Sequence, residues 1–95
     1  MATEQQIQKK IIAMLEETYD AYVVKVVSAS KGGVPDILAC ISGRFVAIEV
    51  KRSETKNNVS KLQDYNLHRV EQRGGISMVA WDVQMVKDIL HDNRL

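Results

Sequence analysis

Two apolar runs joined by two residues constrain this chain more than any other feature. They lie within Pro35–Lys51, which reads PDILACISGRFVAIEVK; residues 37–41 and 45–50 flank Ser42-Gly43. Gly accepts the positive φ of a tight turn, so the pair marks a β-hairpin. Ile41 then pairs with Arg44, and the register runs back to Asp36 opposite Glu49. Alternation puts Glu49 and Lys51 on one sheet face and Ile48 and Val50 on the other, with Asp36 on the face of Glu49. Like charges opposite each other destabilise a sheet, and buried carboxylates need a partner. A divalent metal ion is such a partner, and Lys51 adds a second positive charge nearby.

The chain of 95 residues has room for one domain, residues 1–95. No apolar run approaches the roughly 20 residues of a membrane span. The N-terminal stretch MATEQQIQKK lacks the apolar core of a signal peptide. A lone cysteine, Cys40, excludes an intrachain disulfide; mid-strand, it reads as a small buried apolar residue. The expected location is the cytoplasm. The net charge of +1 argues for no partner by itself, but its distribution is uneven. Residues 25–61 hold seven basic residues against Asp36, Glu49 and Glu54. Two of those acids are the candidate metal ligands, so a bound cation makes this middle segment more basic still. Such a surface suits a phosphate backbone, although charge alone describes a solvated surface equally well.

The elements follow in order. Thr3 with Gln6 forms a capping-box pattern, and Ile7, Ile11, Met14 and Leu15 mark the buried stripe of a first helix ending near Asp20. Glu4 falls on that stripe, either as a helix-end acid complementing the dipole or as a group facing the sheet near Asp36 and Glu49. Glu16 and Glu17 read as solvent-side. Tyr22–Val27 reads as a strand and Ser28–Gly33 as a loop. Both faces of the hairpin are largely apolar, so helices should cover both sides. The polar run Arg52–Asn58 is a candidate DNA-facing loop. Asn58 or Ser60 caps a second helix running to about Arg73. On it Gln63, Leu67 and Val70 share a stripe, which leaves Gln63 as either a core hydrogen-bonder or a site residue. His68 and His91 read as surface residues. Gly74-Gly75 stops the helix. Ile76–Ala80 is a fourth strand, parallel to its neighbour through a right-handed crossover. Asp82 caps a last helix bearing Val83, Val86, Ile89 and Leu90, which with Trp81 serves the core or a subunit interface. The expected fold is therefore α/β in the order α-β-β-β-α-β-α, a mixed four-stranded sheet with helices on both faces.

Pro35-Asp36 followed by Glu49-Val50-Lys51 resembles the PD-(D/E)XK nuclease signature. The fuller stretch, Gly33-Val34-Pro35-Asp36 through Ile48–Lys51 to Gln63 and Gly74-Gly75, resembles the virus-type replication-repair nuclease (VRR-NUC) domain. The resemblance covers about Glu4 to Trp81. It implies a restriction-endonuclease-like core, a glutamine of the second helix beside the metal site, matched by Gln63, and an acid of the first helix joining that site, matched by Glu4. Small stand-alone members, as found in bacterial viruses, look like dimeric resolvases of four-way (Holliday) junctions. The same origin, a phage-encoded protein in a bacterial cell, would fit this chain.

Asp36, Glu49 and the Val50 carbonyl are hard oxygen donors that suit Mg²⁺ or Mn²⁺. Lys51 would orient or help deprotonate a water and stabilise negative charge. Glu4 would hold a metal-bound water or a second ion, and Gln63 would orient Lys51 or the phosphate. No Ser-His-Asp set, zinc spacing or phosphate-binding glycine loop competes. The expected function is a metal-dependent DNA endonuclease on branched DNA, a homodimeric four-way-junction resolvase, without a small-molecule cofactor or membrane association. The alternatives are a flap or duplex-end nuclease, or a catalytically idle DNA-binding subunit of the same fold.

Overall fold

A computed structural model describes residues 2–95. Helix α1 spans Glu4–Tyr19, strand β1 Tyr22–Lys25, β2 Ile37–Ile41 and β3 Arg44–Val50. Helix α2 (Lys61–Gln72), strand β4 (Ile76–Ala80) and helix α3 (Val83–Asp92) complete the order α-β-β-β-α-β-α. The four strands lie in chain order, β1 and β2 antiparallel, β2 and β3 antiparallel, β3 and β4 parallel.

The hairpin closes at Ser42-Gly43 with φ of 49° and 81°, both left-handed, and Ile41 pairs with Arg44. The ladder continues to Ile37 opposite Ile48. It stops one pair short of Asp36, whose carbonyl instead accepts the Val26 N–H at 2.8 Å. Strand β1 is shorter than its β-branched run suggested, ending at Lys25. Val27, 89% exposed, has nothing to pack against.

Helices α1 and α3 touch each other and share one sheet face, where Ile37, Ala39, Ile41, Val46, Ile48 and Val50 meet Ile11, Leu15, Val86 and Leu90. These side chains form the core. From α3, Val86 and Leu90 belong to it and are fully buried, while Val83 and Ile89 pack against it partly buried. Helix α2 alone lies on the opposite face, against β3 and β4. Beside it Cys40 is exposed rather than buried, because α2 does not reach across to β2. Among the described residues no helix is long and apolar enough to cross a membrane.

Both α1 and α2 start with a full capping box. Thr3 and Gln6 exchange hydrogen bonds at α1, and Ser60 and Gln63 do so at α2. Ser60 is thus the cap of α2 rather than Asn58. The segment between β3 and α2 contains a short 3₁₀ turn at Ser53–Thr55.

Candidate active site

The end of the hairpin opposite its turn brings three predicted residues together. Asp36 leaves the ladder with its side chain turned along it, and Oδ2 accepts the Val50 N–H at 2.8 Å. One residue earlier on β3, Glu49 is 3% exposed. Lys51 Nζ stands 3.7 Å from Glu49 Oε2, with its side chain 13% exposed. The Lys51 N–H donates to the Ala80 carbonyl at 3.0 Å, so β4 fixes the backbone that carries this lysine.

Glu49 is electrostatically frustrated. Burial, then the negative charge of nearby Asp36, push its pKa up to about 7, against the pull of Lys51. Glu4 adds a smaller push in the same direction, which puts the first turn of α1 within electrostatic reach of the site. The other carboxylate oxygen of Glu49, Oε1, is buried and has no hydrogen-bond partner. A buried, unpartnered carboxylate oxygen beside a second carboxylate is costly unless something cationic sits there.

Gln63 joins the site from α2. Its Nε2 donates to Glu49 Oε2 at 3.2 Å, and its Oε1 accepts the Ser60 N–H at 3.0 Å. The amide therefore holds the carboxylate, whereas the sequence pointed it at Lys51 or the phosphate. Glu4 is only partly buried on the first turn of α1. No group of three or more His, Cys, Asp or Glu side chains among the described residues is placed to hold a metal ion together. Asp36 and Glu49 thus form a pair of hard oxygen donors with Glu4 standing off. Orphaned Oε1 and the raised pKa of Glu49 suit a divalent cation, with the Val50 carbonyl as a further hard donor.

Two features escaped the sequence reading. Ser60-Lys61-Leu62-Gln63 carries the same capping signature as Thr3–Gln6, and it would have tied Gln63 to the helix start. Asn66, one turn after Gln63, is buried and donates to the Gly32 and Leu62 carbonyls at 3.2 and 2.9 Å. The polar segment after Lys51 is partly occupied with itself. Arg52 pairs with Glu54 at 3.6 Å, both well exposed, and Lys56 sits 5.1 Å from the Trp81 ring centroid.

A sheet in this order, carrying a carboxylate pair and a lysine at the end of its central hairpin, defines a nuclease-type fold. A solved structure described as a VRR_NUC domain superposes with a TM-score of 0.76 at 25% sequence identity, covering 95% of this chain and 97% of that one. The chain therefore has the fold of a VRR-NUC domain. Comparison with protein-family models and with curated proteins finds no match.

Proposed function

We propose that this domain is a metal-dependent, structure-selective DNA endonuclease that resolves four-way junctions as a two-fold homodimer. One observation carries the hydrolytic reading. Asp36 and Glu49 crowd together beside Lys51, with Glu49 Oε1 buried and unpartnered. Asp36, Glu49 and the Val50 carbonyl would hold Mg²⁺ or Mn²⁺, with Glu4 contributing from further out. When bound, such an ion supplies a Lewis acid for the scissile phosphate and a more acidic water. Lys51 orients the attacking water and offsets charge growing on the phosphate. Gln63 keeps Glu49 Oε2 turned toward Lys51. The Val50 N–H fixes the rotation of the Asp36 carboxylate.

The dimer follows from the substrate. Resolving a junction takes two matched cuts, and one Asp36–Glu49–Lys51 site makes one. A two-fold dimer is the simplest arrangement with two equivalent sites. With Val86 and Leu90 of α3 committed to the core, edge strand β1, where Tyr22 is 73% and Val24 43% exposed, is the larger exposed apolar surface and the interface this reading assigns.

Incubation with four-way, flap, nicked and linear DNA, with Mg²⁺ or with chelator, tests the reading. Paired nicks in opposed junction strands, dependent on Mg²⁺, are expected from a species of twice the chain mass. Cleavage of flaps by a monomer would leave a nuclease but not a resolvase. Junction binding without cleavage in any metal would leave an idle DNA-binding subunit.

A further inference from the structure

The sheet face that carries Glu49 is open along one side. Helix α2 lies over β3 and β4, and the strip beside it is bare, with Phe45 46% exposed and Cys40 exposed. Between strip and helix runs a groove of about 290 Å³. Leu38, Phe45 and Val70 form its floor, and Lys31, Arg69 and Arg73 form its rim. No acidic residue lines it, and none of the three cations belongs to an ion pair among the described residues.

The groove continues the candidate active site. Leu38 is two residues from Asp36, about 7 Å along an extended strand, and Phe45 is four residues from Glu49, about 14 Å. Alternation puts Phe45 and Glu49 on one face. Helix α2 flanks both regions: Gln63 holds Glu49, and Arg73 lies about 15 Å further along the helix. The loop bearing Lys31 is fixed in place. Asn66 bonds the Gly32 carbonyl, and at Gly33, with φ of 76°, a Cβ would stand 2.7 Å from Leu62 Cγ.

We infer that this groove binds an unpaired stretch of DNA strand, an overhang or a strand freed at a branch point, that runs on toward the candidate site at Asp36, Glu49 and Lys51. An aromatic floor offers a stacking surface to a base of any identity, and a cationic rim meets the phosphates. A closed duplex hides its base faces and has no use for Phe45. A peptide would need backbone partners, and the Asn66 amide nitrogen is already committed to Gly32 and Leu62. The inference rests on the nuclease reading for its ligand, but binding in the groove needs no cleavage.

Fluorescence anisotropy in chelator, where no cutting occurs, tests it with one duplex, blunt or carrying a short oligothymidine overhang. The overhang should tighten binding at least about 5-fold, the lower bound for one stacked base. Phe45→Ala should abolish that gain and leave blunt-duplex affinity unchanged, while Phe45→Tyr keeps it. The double variant Arg69→Ala, Arg73→Ala should lower the salt slope for the overhang by about 1.4, from two lost single-strand phosphate contacts. Circular dichroism checks the fold of each variant, and if Phe45→Ala does not fold, the double variant decides. An overhang gain that survives in folded Phe45→Ala, or a salt slope unmoved by the double variant, overturns the proposal. So does a fall in solution mass on Phe45→Ala with the gain intact, which would seat a second copy of the chain in the groove. Asp36→Asn should keep the overhang gain. If no DNA is cleaved by the wild type but the Phe45-dependent gain is present, the nuclease reading fails and the groove stands.

Discussion

Gln63 Nε2 lies 3.2 Å from Glu49 Oε2 while Oε1 of the same amide accepts the Ser60 N–H. The first turn of α2 and the most buried carboxylate of the site therefore depend on one side chain. Gln63→Ala removes both bonds and should cost about 1–2 kcal/mol in urea unfolding, along with cleavage. Gln63→Glu preserves the capping box, since Glu serves at that position. It also aims a third carboxylate at Glu49, so activity should be lost, and its stability deficit, unlike that of Gln63→Ala, should shrink as pH falls and the carboxylates protonate. Full stability and full rate in Gln63→Ala would make the amide a bystander.

Asp36 has two separable duties, one electrostatic and one structural. Asp36→Asn removes a negative charge beside Glu49 but keeps an oxygen for the Val50 N–H. Cleavage should vanish, and the metal-free protein should be as stable as wild type or up to about 1 kcal/mol more so. Asp36→Ala leaves that N–H without its partner and should cost about 1–3 kcal/mol. If the Asn variant cleaves while melting lower than wild type, Asp36 is a structural acid.

The raised pKa of Glu49 ties stability to pH. Its folded value of about 7 exceeds its unfolded value of 4.5, so between them the native state binds more protons than the unfolded one. The stability present below the unfolded pKa is lost as pH rises through the folded pKa, by on the order of 3 kcal/mol at most. Denaturation of the metal-free protein across this window should show the decline, and Glu49→Gln should flatten it. Mg²⁺ selects the ionised carboxylate, so its affinity should climb as pH rises toward 7, with proton release visible by calorimetry. A flat stability profile in metal-free wild type would deny the raised pKa.

Glu4 is the outlying acid. Glu4→Gln should slow cleavage at least about tenfold, or 1.4 kcal/mol in barrier, with DNA binding kept. Glu16 and Glu17 are exposed on the later turns of α1, and their amide variants should be silent. The reverse pattern, with Glu16→Gln or Glu17→Gln slow and Glu4→Gln normal, would put the wrong turn of the helix at the site.

Much of this architecture is legible in the chain because its strongest signals are local. The Ser42-Gly43 turn sets the register, and a period of two then brings Asp36 beside Glu49. Thr3–Gln6 sets the start of α1, and the stripe from Ile7 to Leu15 its buried face. What was not legible is how far each helix reaches. A helix is about 10–12 Å wide, whereas four strands at about 4.8 Å span roughly 19 Å. Two helices close one face, and α2 alone closes about half of the other. Reading Cys40 as buried missed that count of helices per face. Spacing alone leaves the α3 stripe open between core and interface, because it does not say that Val86 and Leu90 are what the two-helix face takes. The contact between Gln63 and Glu49 depends on how α2 sits on the sheet, which spacing along the helix does not specify.

The chain-order sheet bears on the sequence of events during folding. The β2–β3 hairpin pairs residues 3 to 11 apart in sequence, β1 pairs with β2 at 12 to 18, and only β4, 30 residues from its partners on β3, arrives by a crossover. Local pairings close first because they lose the least loop entropy. Asp36 and Glu49 therefore meet early, before α2 and β4 arrive to bury them. Their repulsion would then act as a brake on refolding rather than as a spur to unfolding. Stopped-flow measurements on metal-free Asp36→Asn should show faster refolding with little change in the unfolding rate. The opposite partition, with only unfolding slowed, would place closure of the hairpin end after the rate-limiting step.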